Sequence, residues 1–324
     1  MTPPAPVNRV GWGPSDQNLA AQATSDPRSV LIIAVSHVTS PPPRTDPGIG
    51  RRAVALLRAS HAPPSVAVTA IATALSVASG RGVGGSILIA LAVLSGQLSV
   101  GWCNDRVDLA RDLATGRTDK PLVSGELSPR TMTLAAGSAL ALCVPLSLAN
   151  GLLAGTVHLI AVAAAWCYNL GLKRTWFSPL PYAVAFGLLP AFVTLALPGH
   201  PWPPAWAIGA GALLGVGAHA TNVLPDIDGD LDTGICGLPQ RLGARVSRLL
   251  AGLALLAASV LLVLGPPGRI SAVGWGSLVL TGTLALVVAM PLRLDPRSRL
   301  PFLATLGLAL VDVTLLLLRG ATLA

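Results

Sequence analysis

Residues Gly85–Asp112 have the sequence GSILIALAVLSGQLSVGWCNDRVDLARD. The apolar part, 85–103, is close to the ~20 residues that a helix needs to cross the hydrocarbon core of a bilayer. If the helix continues beyond it, Asp105, Asp108 and Asp112 share one face, because they stand at positions i, i+3 and i+7. This stretch therefore predicts a membrane-spanning helix that ends in a row of carboxylates.

The composition of the whole chain is also that of a membrane protein. Of its 324 residues, 52% are hydrophobic and 11% are charged, and the mean hydropathy is +0.67, whereas soluble domains carry about 25% charged residues. Apolar stretches of similar length lie at 62–79, 85–103, 132–150, 152–171, 180–198, 203–221, 247–264, 271–291 and 300–318. We predict an all-α fold, a multi-pass transmembrane bundle of about nine helices arranged around a central cavity.

Lysine and arginine predict the orientation of this bundle. With the N-terminus inside, the outside segments hold only Arg81, Arg269 and Arg319. The inside loops hold Arg106, Arg111, Arg117, Lys120, Arg130, Lys173, Arg174, Arg241, Arg245, Arg293, Arg297 and Arg299. This excess predicts an integral protein of the plasma membrane with these loops in the cytoplasm. Topology accounts for much of the net charge of +8, so no nucleic-acid partner is needed to explain it.

The first fifty residues differ from the rest of the chain. They contain nine prolines and one short apolar run, Val30–Val38, which is too short to span a bilayer. We interpret 1–50 as a flexible Pro-rich cytoplasmic tail and 51–324 as the transmembrane domain. The four cysteines show no CxxC spacing, which favours packing roles over disulfides or zinc ligands.

Acidic residues are concentrated in two clusters. Nine of the 14 Asp and Glu residues fall in 105–126 and 226–232. Two carboxylates ~5 Å apart repel by about 3 kcal/mol at an effective dielectric of ~20, so stability alone does not favour the row in the first cluster. A Mg²⁺ ion bound to two carboxylates and to phosphate oxygens would remove this repulsion. The alternative is a solvated loop whose acids pair with Arg106, Arg111 and Arg117.

A loop with turn residues, 116–125, follows the first cluster. Its Arg117 and Lys120 are placed to reach a diphosphate beside a metal. Equally, both fit the excess of positive charge on the inner side of the membrane.

The second cluster has the same helical spacing. Asn222, Asp226 and Asp230 stand four residues apart and form one row if the preceding helix continues, while Asp228 points away from it. His219, one turn earlier, either lines the pocket or packs as a hydrogen-bonded core residue. Each cluster follows an apolar stretch that enters from the outside, so we expect both to face one cavity and to supply carboxylates from opposite walls.

These motifs resemble those of the UbiA-type superfamily of intramembrane prenyltransferases. The family signature NDxxDxxxD is matched in full by Asn104, Asp105, Asp108 and Asp112, and the signature DxxxD by Asp226 and Asp230. Shorter stretches are similar to the family's RPLxSG, Tyr…Lys-Arg and TLPVRLG elements, and these are Lys120–Gly125, Tyr168–Arg174 and Leu238–Gly243. The resemblance covers about 53–320 and agrees with the helix count.

The resemblance implies a Mg²⁺-dependent enzyme that ionises a polyprenyl diphosphate and transfers the prenyl group to an aromatic or other lipid-soluble acceptor. It implies metal binding by Asp105, Asp108, Asp112, Asp226 and Asp230, with catalysis resting on the residues at 105, 108, 226 and 230. The cations implied to neutralise the diphosphate are Arg117, Lys120, Lys173 and Arg241. Asn104 and Asn222 would hydrogen-bond ligands or orient the carboxylates.

Several residues depart from the pattern or have two readings. Lys120 replaces the usual Arg, and Ile235-Cys236-Gly237 replaces a more polar sequence, which leaves the acceptor open. The aromatic residues either stabilise a cation or anchor the protein at the interface, and the candidates are Trp102, Trp166, Tyr168 and Trp176. Asp312 lies in the last apolar stretch, where an acid is a candidate functional residue without a family match.

Two other functions remain open at this point. A terpene cyclase on the same scaffold would ionise the same diphosphate with the same aspartates, and its cation would be attacked by its own chain. A divalent-cation transporter also needs acidic rows, although its acids are expected near the bilayer midplane rather than at helix ends.

Overall fold

A computed structural model describes residues 48–289 and 300–323 of the chain. Within this part every regular element is helical. The α-helices are α1 Ile49–Arg58, α2 Ala62–Ala78, α3 Val83–Ala114, α4 Pro129–Leu148, α5 Leu152–Leu170, α6 Leu180–Leu195, α7 Ala205–Val223, α8 Ile227–Asp232, α9 Leu238–Leu264, α10 Ala272–Ala289 and α11 Leu300–Leu318. Each of the nine apolar stretches coincides with a helix (α2–α7 and α9–α11), which confirms the predicted all-α transmembrane bundle.

The lengths of these helices fit a bilayer. Six spans of the described chain are long and apolar enough to cross it. Five are the single helices α3, α4, α5, α9 and α10, and the sixth consists of α7 and α8 together. The bent pair α1–α2 adds a seventh, while α6 and α11 are shorter apolar helices. The 32 residues of α3 extend for ~48 Å at 1.5 Å per residue. The apolar part of α3, up to residue 103, already suffices for the ~30 Å hydrocarbon core, so the end of α3 that carries the aspartates extends beyond the part needed to span it.

The predicted tail lies almost wholly outside the described residues. Of 1–50, only residues 48–50 are described, and Ile49 and Gly50 already belong to α1.

The chain bends by 74° between α1 and α2, at His61, whose φ of 51° is left-handed. Trp102 Nε1 donates to Leu56 O at 2.9 Å, which holds α1 against α3.

Glycines allow α6 and α7 to cross closely. A Cβ atom at Gly211 would lie 2.5 Å from Phe186 O, and one at Gly215 would lie 2.3 Å from Tyr182 O. Small residues four positions apart permit this backbone approach in membranes. The crossing therefore fixes the position of the α6 face that carries Tyr182 and Phe186.

A 3-10 turn interrupts the helical segment after α7. Residues Leu224–Asp226 form a 3-10 turn, after which the short helix α8 begins. Pro225 explains the break, because it lacks an N–H and its ring clashes with the preceding turn of an α-helix. The row predicted for Asn222, Asp226 and Asp230 therefore passes through a 3-10 turn rather than a regular α-helix.

Candidate active site

A cavity of about 500 Å³ opens between helices of both halves of the chain. Its charged end is lined by Asn104, Asp108, Arg111, Arg117, Lys120, Lys173, Asn222, Asp226 and Asp230. Its apolar walls come from α2, α3, α5 and α6 and include Val68, Val100, Ala165, Ala185 and Phe186. The expectation that both acidic motifs face one cavity is met by Asp108 of the first and by Asp226 and Asp230 of the second.

The three aspartates of α3 are buried and held by cations. Asp105, Asp108 and Asp112 are 3%, 2% and 1% exposed. Asp105 Oδ1 accepts from Lys120 Nζ at 2.9 Å and lies 3.0 Å from His61 Nε2. Asp108 and Asp112 also lie beside cations, so each member of the row has a compensating charge nearby.

Two lysines from separate loops reach this row. Lys120 Nζ donates to Asp112 Oδ2 at 2.7 Å as well as to Asp105, and Lys173 Nζ donates to Asp108 Oδ1. Burial opposes the charge of Lys120, but the neighbouring carboxylates outweigh it and raise the pKa of the ammonium. Burial dominates at Lys173 and lowers the pKa of its ammonium, although Asp108 acts in the opposite direction.

The second motif is more open than the first. Asp230 accepts from Gln240 Nε2 at 2.9 Å through Oδ2 and from Arg111 through Oδ1, and its side chain is 15% exposed. Asp226 is exposed and lines the cavity. Asp228 and Asp232 are exposed and lie outside the lining. The break in the helix thus still leaves Asp226 and Asp230 on the cavity wall.

Not every predicted site residue lies at the cavity. Arg241 places its guanidinium 4.9 Å from the ring centroid of Trp176 and donates to Cys236 O at 2.7 Å. His219 is 1% exposed and its Nε2 lies 3.1 Å from Ser178 Oγ, behind the lining residues Tyr168 and Tyr182, which it contacts through their rings. This placement matches the packed, hydrogen-bonded reading of His219.

The aromatic candidates separate in the same way. Tyr168 lines the cavity, whereas Trp102 and Trp166 bond to Leu56 O and Ser99 Oγ and do not line it. Trp176 is 57% exposed. Asp312 is fully buried away from the cavity, where its Oδ1 accepts from Ser259 Oγ and its Oδ2 has no hydrogen-bond partner.

Sequence reasoning missed several residues of the site. Arg111 joins Asp108 to Asp230, His61 approaches Asp105, Gln240 supports Asp230, and Asn169 accepts from Asn104 Nδ2 at 3.2 Å. The spacing of Arg111, three residues after Asp108, was a visible signal, since i, i+3 neighbours share a helix face. His61 comes from a distant part of the chain and had no local signal, whereas Asn169 and Gln240 lie in the stretches Tyr168–Arg174 and Leu238–Gly243 but were not singled out there.

The donor set suits a hard divalent cation. Within 48–289 and 300–323, no three His, Cys, Asp or Glu side chains surround a common point at metal-binding distance. Mg²⁺, however, is usually held by one or two carboxylates together with phosphates and waters. Asp112 Oδ1 is buried without a hydrogen-bond partner, although Arg111 Nη2 lies 3.6 Å away. Asp108, Asp226 and Asp230 line the cavity, and these three carboxylates fit Mg²⁺ in chemistry and in number, whereas Asp105 and Asp112 are not part of the lining.

The family model of the UbiA prenyltransferase family matches residues 64–311. The chain belongs to this family. It is therefore a prenyltransferase of the UbiA type, and its apolar helices make it an integral membrane protein.

Relatives and solved structures agree with this assignment. The 33 kDa chain of bacteriochlorophyll synthase from Cereibacter sphaeroides is 29% identical over 243 residues, which cover 67% of this chain and 75% of the relative. A UbiA homologue from Archaeoglobus fulgidus, bound to GPP and Mg²⁺, superimposes with a TM-score of 0.61 at 15% identity and covers 83% of this chain and all of that chain. A digeranylgeranylglyceryl phosphate synthase gives a TM-score of 0.59 at 17% identity, over 84% of this chain and 99% of the other. At these identities the solved structures establish the fold.

Proposed function

We propose that this UbiA-type enzyme ionises a polyprenyl diphosphate with the help of Mg²⁺ and transfers the prenyl group to an aromatic or other lipid-soluble acceptor. The observation that carries the proposal is the polarity of the cavity, which has aspartates of both motifs and cations at one end and apolar walls beyond them. A prenyl diphosphate has the same division into a charged head and an apolar tail. The Archaeoglobus homologue bound to GPP and Mg²⁺ supports this reading.

The charged end would bind the diphosphate. Arg117, Lys120 and Lys173 line it and supply cations for the phosphate oxygens. Asp105, Asp108, Asp112, Asp226 and Asp230 would hold Mg²⁺, which when bound neutralises charge that develops on the leaving diphosphate. Arg241 would bind the diphosphate only after its guanidinium leaves the ring of Trp176.

The apolar end would hold the prenyl tail. A smaller cavity of about 50 Å³ shares Val100, Ala165 and Phe186 with the larger one and reaches Val93 on α3. Val93 lies fifteen residues before Asp108, and a rise of 1.5 Å per residue makes this ~22 Å. An isoprene unit adds four chain bonds and extends ~5 Å. This depth corresponds to a tail of about four units, so chains of about C20 are the expected substrates.

A product screen tests the proposal. Purified protein is incubated with Mg²⁺ and prenyl diphosphates of two to five units against a panel of acceptors, and products are identified by mass spectrometry. The panel includes chlorin carboxylates, because bacteriochlorophyll synthase is a relative. Asp105→Ala and Asp226→Ala should abolish turnover, whereas Asp228→Ala should retain it, since Asp228 is exposed outside the cavity lining.

The same screen, together with a Mg²⁺ flux assay in liposomes, distinguishes the other functions. Full activity of the Asp105 or Asp226 variant would refute the metal site. A cyclic hydrocarbon formed without any acceptor would replace the transferase by a terpene cyclase. Mg²⁺ flux into liposomes, absent in the Asp226 variant, would support a transporter, although the cations beside the aspartates oppose that reading.

The orientation is proposed from the charge distribution. The excess of Lys and Arg supports an orientation in which the aspartates face the cytoplasm, with the protein in the plasma membrane. Asp119 has a side chain that is 70% exposed, so a cysteine at this position reports its side of the membrane once the accessible native Cys167 and Cys236 are replaced by alanine. A membrane-impermeant maleimide should label it in inverted vesicles and not in intact spheroplasts, and the reverse pattern would contradict the orientation.

A further inference from the structure

Arg111 occupies the space between the two acidic motifs. Its Nη2 lies 3.0 Å from Asp108 Oδ2 and its Nη1 lies 3.2 Å from Asp230 Oδ1. Its side chain is 21% exposed and lines the cavity. Lys120 and Lys173 differ from it, because their ion pairs are with aspartates of the first motif.

This position makes Arg111 a competitor for metal ligands. The guanidinium is always charged, and its planar fork satisfies two carboxylates at once. Mg²⁺ coordinates oxygen at 2.0–2.1 Å and displaces other cations from the lone pairs that it uses. Metal bound by Asp108 and Asp230 would therefore have to displace Arg111 from at least one of them.

A displaced guanidinium needs another anion. An unpaired charge in a partly desolvated cavity is costly, and a phosphate offers the same bidentate geometry as a carboxylate. A diphosphate that enters this cavity would provide it. Metal binding without a diphosphate takes from Arg111 at least one of its two hydrogen-bonded carboxylates and leaves it near Asp112 Oδ1, 3.6 Å away. Metal binding with a diphosphate replaces the lost carboxylate by phosphate oxygens.

We propose that Arg111 makes metal binding at this site depend on diphosphate. The guanidinium holds Asp108 and Asp230 together and shields them, and it is released to phosphate oxygens when diphosphate and metal bind. This inference rests on the proposed diphosphate site. It makes Arg111 a positioning residue whose role is to prevent premature loading of metal.

The test measures metal affinity rather than turnover. Mn²⁺ is titrated into purified protein in nanodiscs and followed by electron paramagnetic resonance, with and without inorganic diphosphate. The proteins compared are the wild type, Arg111→Gln, Arg111→Lys and Arg106→Gln. Arg106 is on the same helix but exposed, with its Nε bonded to Thr133 Oγ1 at 3.2 Å, so its variant removes the same charge outside the cavity.

In the wild type, diphosphate should tighten Mn²⁺ binding by at least about tenfold, within the usual range of coupling between sites. Arg111→Gln should bind Mn²⁺ about tenfold more tightly than the wild type without diphosphate, and most of the coupling should disappear. Arg111→Lys should be intermediate, because an ammonium is a point charge rather than a fork. Arg106→Gln should behave like the wild type.

The possible failures can be told apart. Equal coupling in the wild type and Arg111→Gln, or weaker Mn²⁺ binding by Arg111→Gln without diphosphate, would overturn the role of Arg111 alone. A lack of saturable Mn²⁺ binding by any of the proteins, even with diphosphate, would overturn the proposed metal–diphosphate site itself. If Arg111→Gln does not fold, as judged by size exclusion, the Arg111→Lys comparison decides between the same outcomes.

Discussion

Replacing Lys120 by methionine isolates one buried ammonium. Lys120 makes hydrogen bonds of 2.9 and 2.7 Å to Asp105 and Asp112, and its side chain is 11% exposed. Removing one partner of a buried ion pair costs about 3–5 kcal/mol, because the remaining charge is left unpaired. Asp105 keeps His61 at 3.0 Å, so we expect the lower end, about 3 kcal/mol of the free energy of unfolding.

Mg²⁺ with diphosphate should offset much of this loss in the variant. A ligand at 100 times its dissociation constant stabilises the folded state by ~2.7 kcal/mol, and it restores positive charge beside the same two carboxylates. The diphosphate loses the Lys120 ammonium, so its concentration is raised until binding saturates. The free energy of unfolding is measured by SDS titration in mixed micelles, followed by tryptophan fluorescence, with and without Mg²⁺ and diphosphate.

Two variants serve as controls for Lys120→Met. Lys120→Arg keeps the positive charge and should lose less stability than the methionine variant. Arg106→Gln removes an exposed charge and should change the free energy of unfolding by less than ~0.5 kcal/mol. A loss below ~1 kcal/mol for Lys120→Met, or a loss that saturating ligands leave unchanged, would refute the argument from buried charge.

Three further predictions concern the tail cavity, the helix crossing and the buried acid. Ala165→Phe should block the apolar end of the cavity and shift the products from about C20 towards C10 chains. Ala163→Phe, on the exposed face of α5, should leave the chain length unchanged. Unchanged chain lengths in the Ala165 variant would contradict the tail site. Gly215→Ala should cost about 1–3 kcal/mol of unfolding free energy in SDS titration, because its Cβ atom would lie 2.3 Å from Tyr182 O. The control Gly137→Ala has open space around it and should not destabilise the protein. Equal stabilities of the two variants would show that the helix crossing can relax. Asp312→Asn should keep its free energy of unfolding within ~1 kcal/mol of the wild type, because its amide oxygen can accept from Ser259. Asp312→Leu should lose more stability in the same assay. A loss for Asp312→Asn larger than that for Asp312→Leu would show that the carboxyl itself is required.

The fold was largely predictable because length and hydropathy determine what a bilayer accepts. All nine apolar stretches became helices, and the end of α3 carries Asp105, Asp108 and Asp112 as the spacing required. The helix α1 was not predicted, since its ten residues are too short and too charged to register as a span. The 3-10 turn at Leu224–Asp226 has a local signal in Pro225, because a proline lacks the N–H that a regular α-helix needs.

The site was predictable in its acids and less so in its cations. Lys120 and Lys173 were named from the motifs and line the cavity, but Arg241 turns towards Trp176 instead. Nothing local separates these cases, because the direction of a long side chain depends on what surrounds it in the folded chain. Arg111 was visible only as one cation among several, since its second partner, Asp230, lies 119 residues further along the chain.

The ion pairs of Lys120, Lys173 and Arg111 also bear on how the protein is made in a cell. A structural zinc site supplies the folding energy of its domain, so such a chain has to wait for its metal. Here the buried aspartates meet lysines and an arginine from the same polypeptide. Newly inserted helices can therefore assemble without a bound metal, and in the proposed function magnesium is needed for turnover rather than for biogenesis.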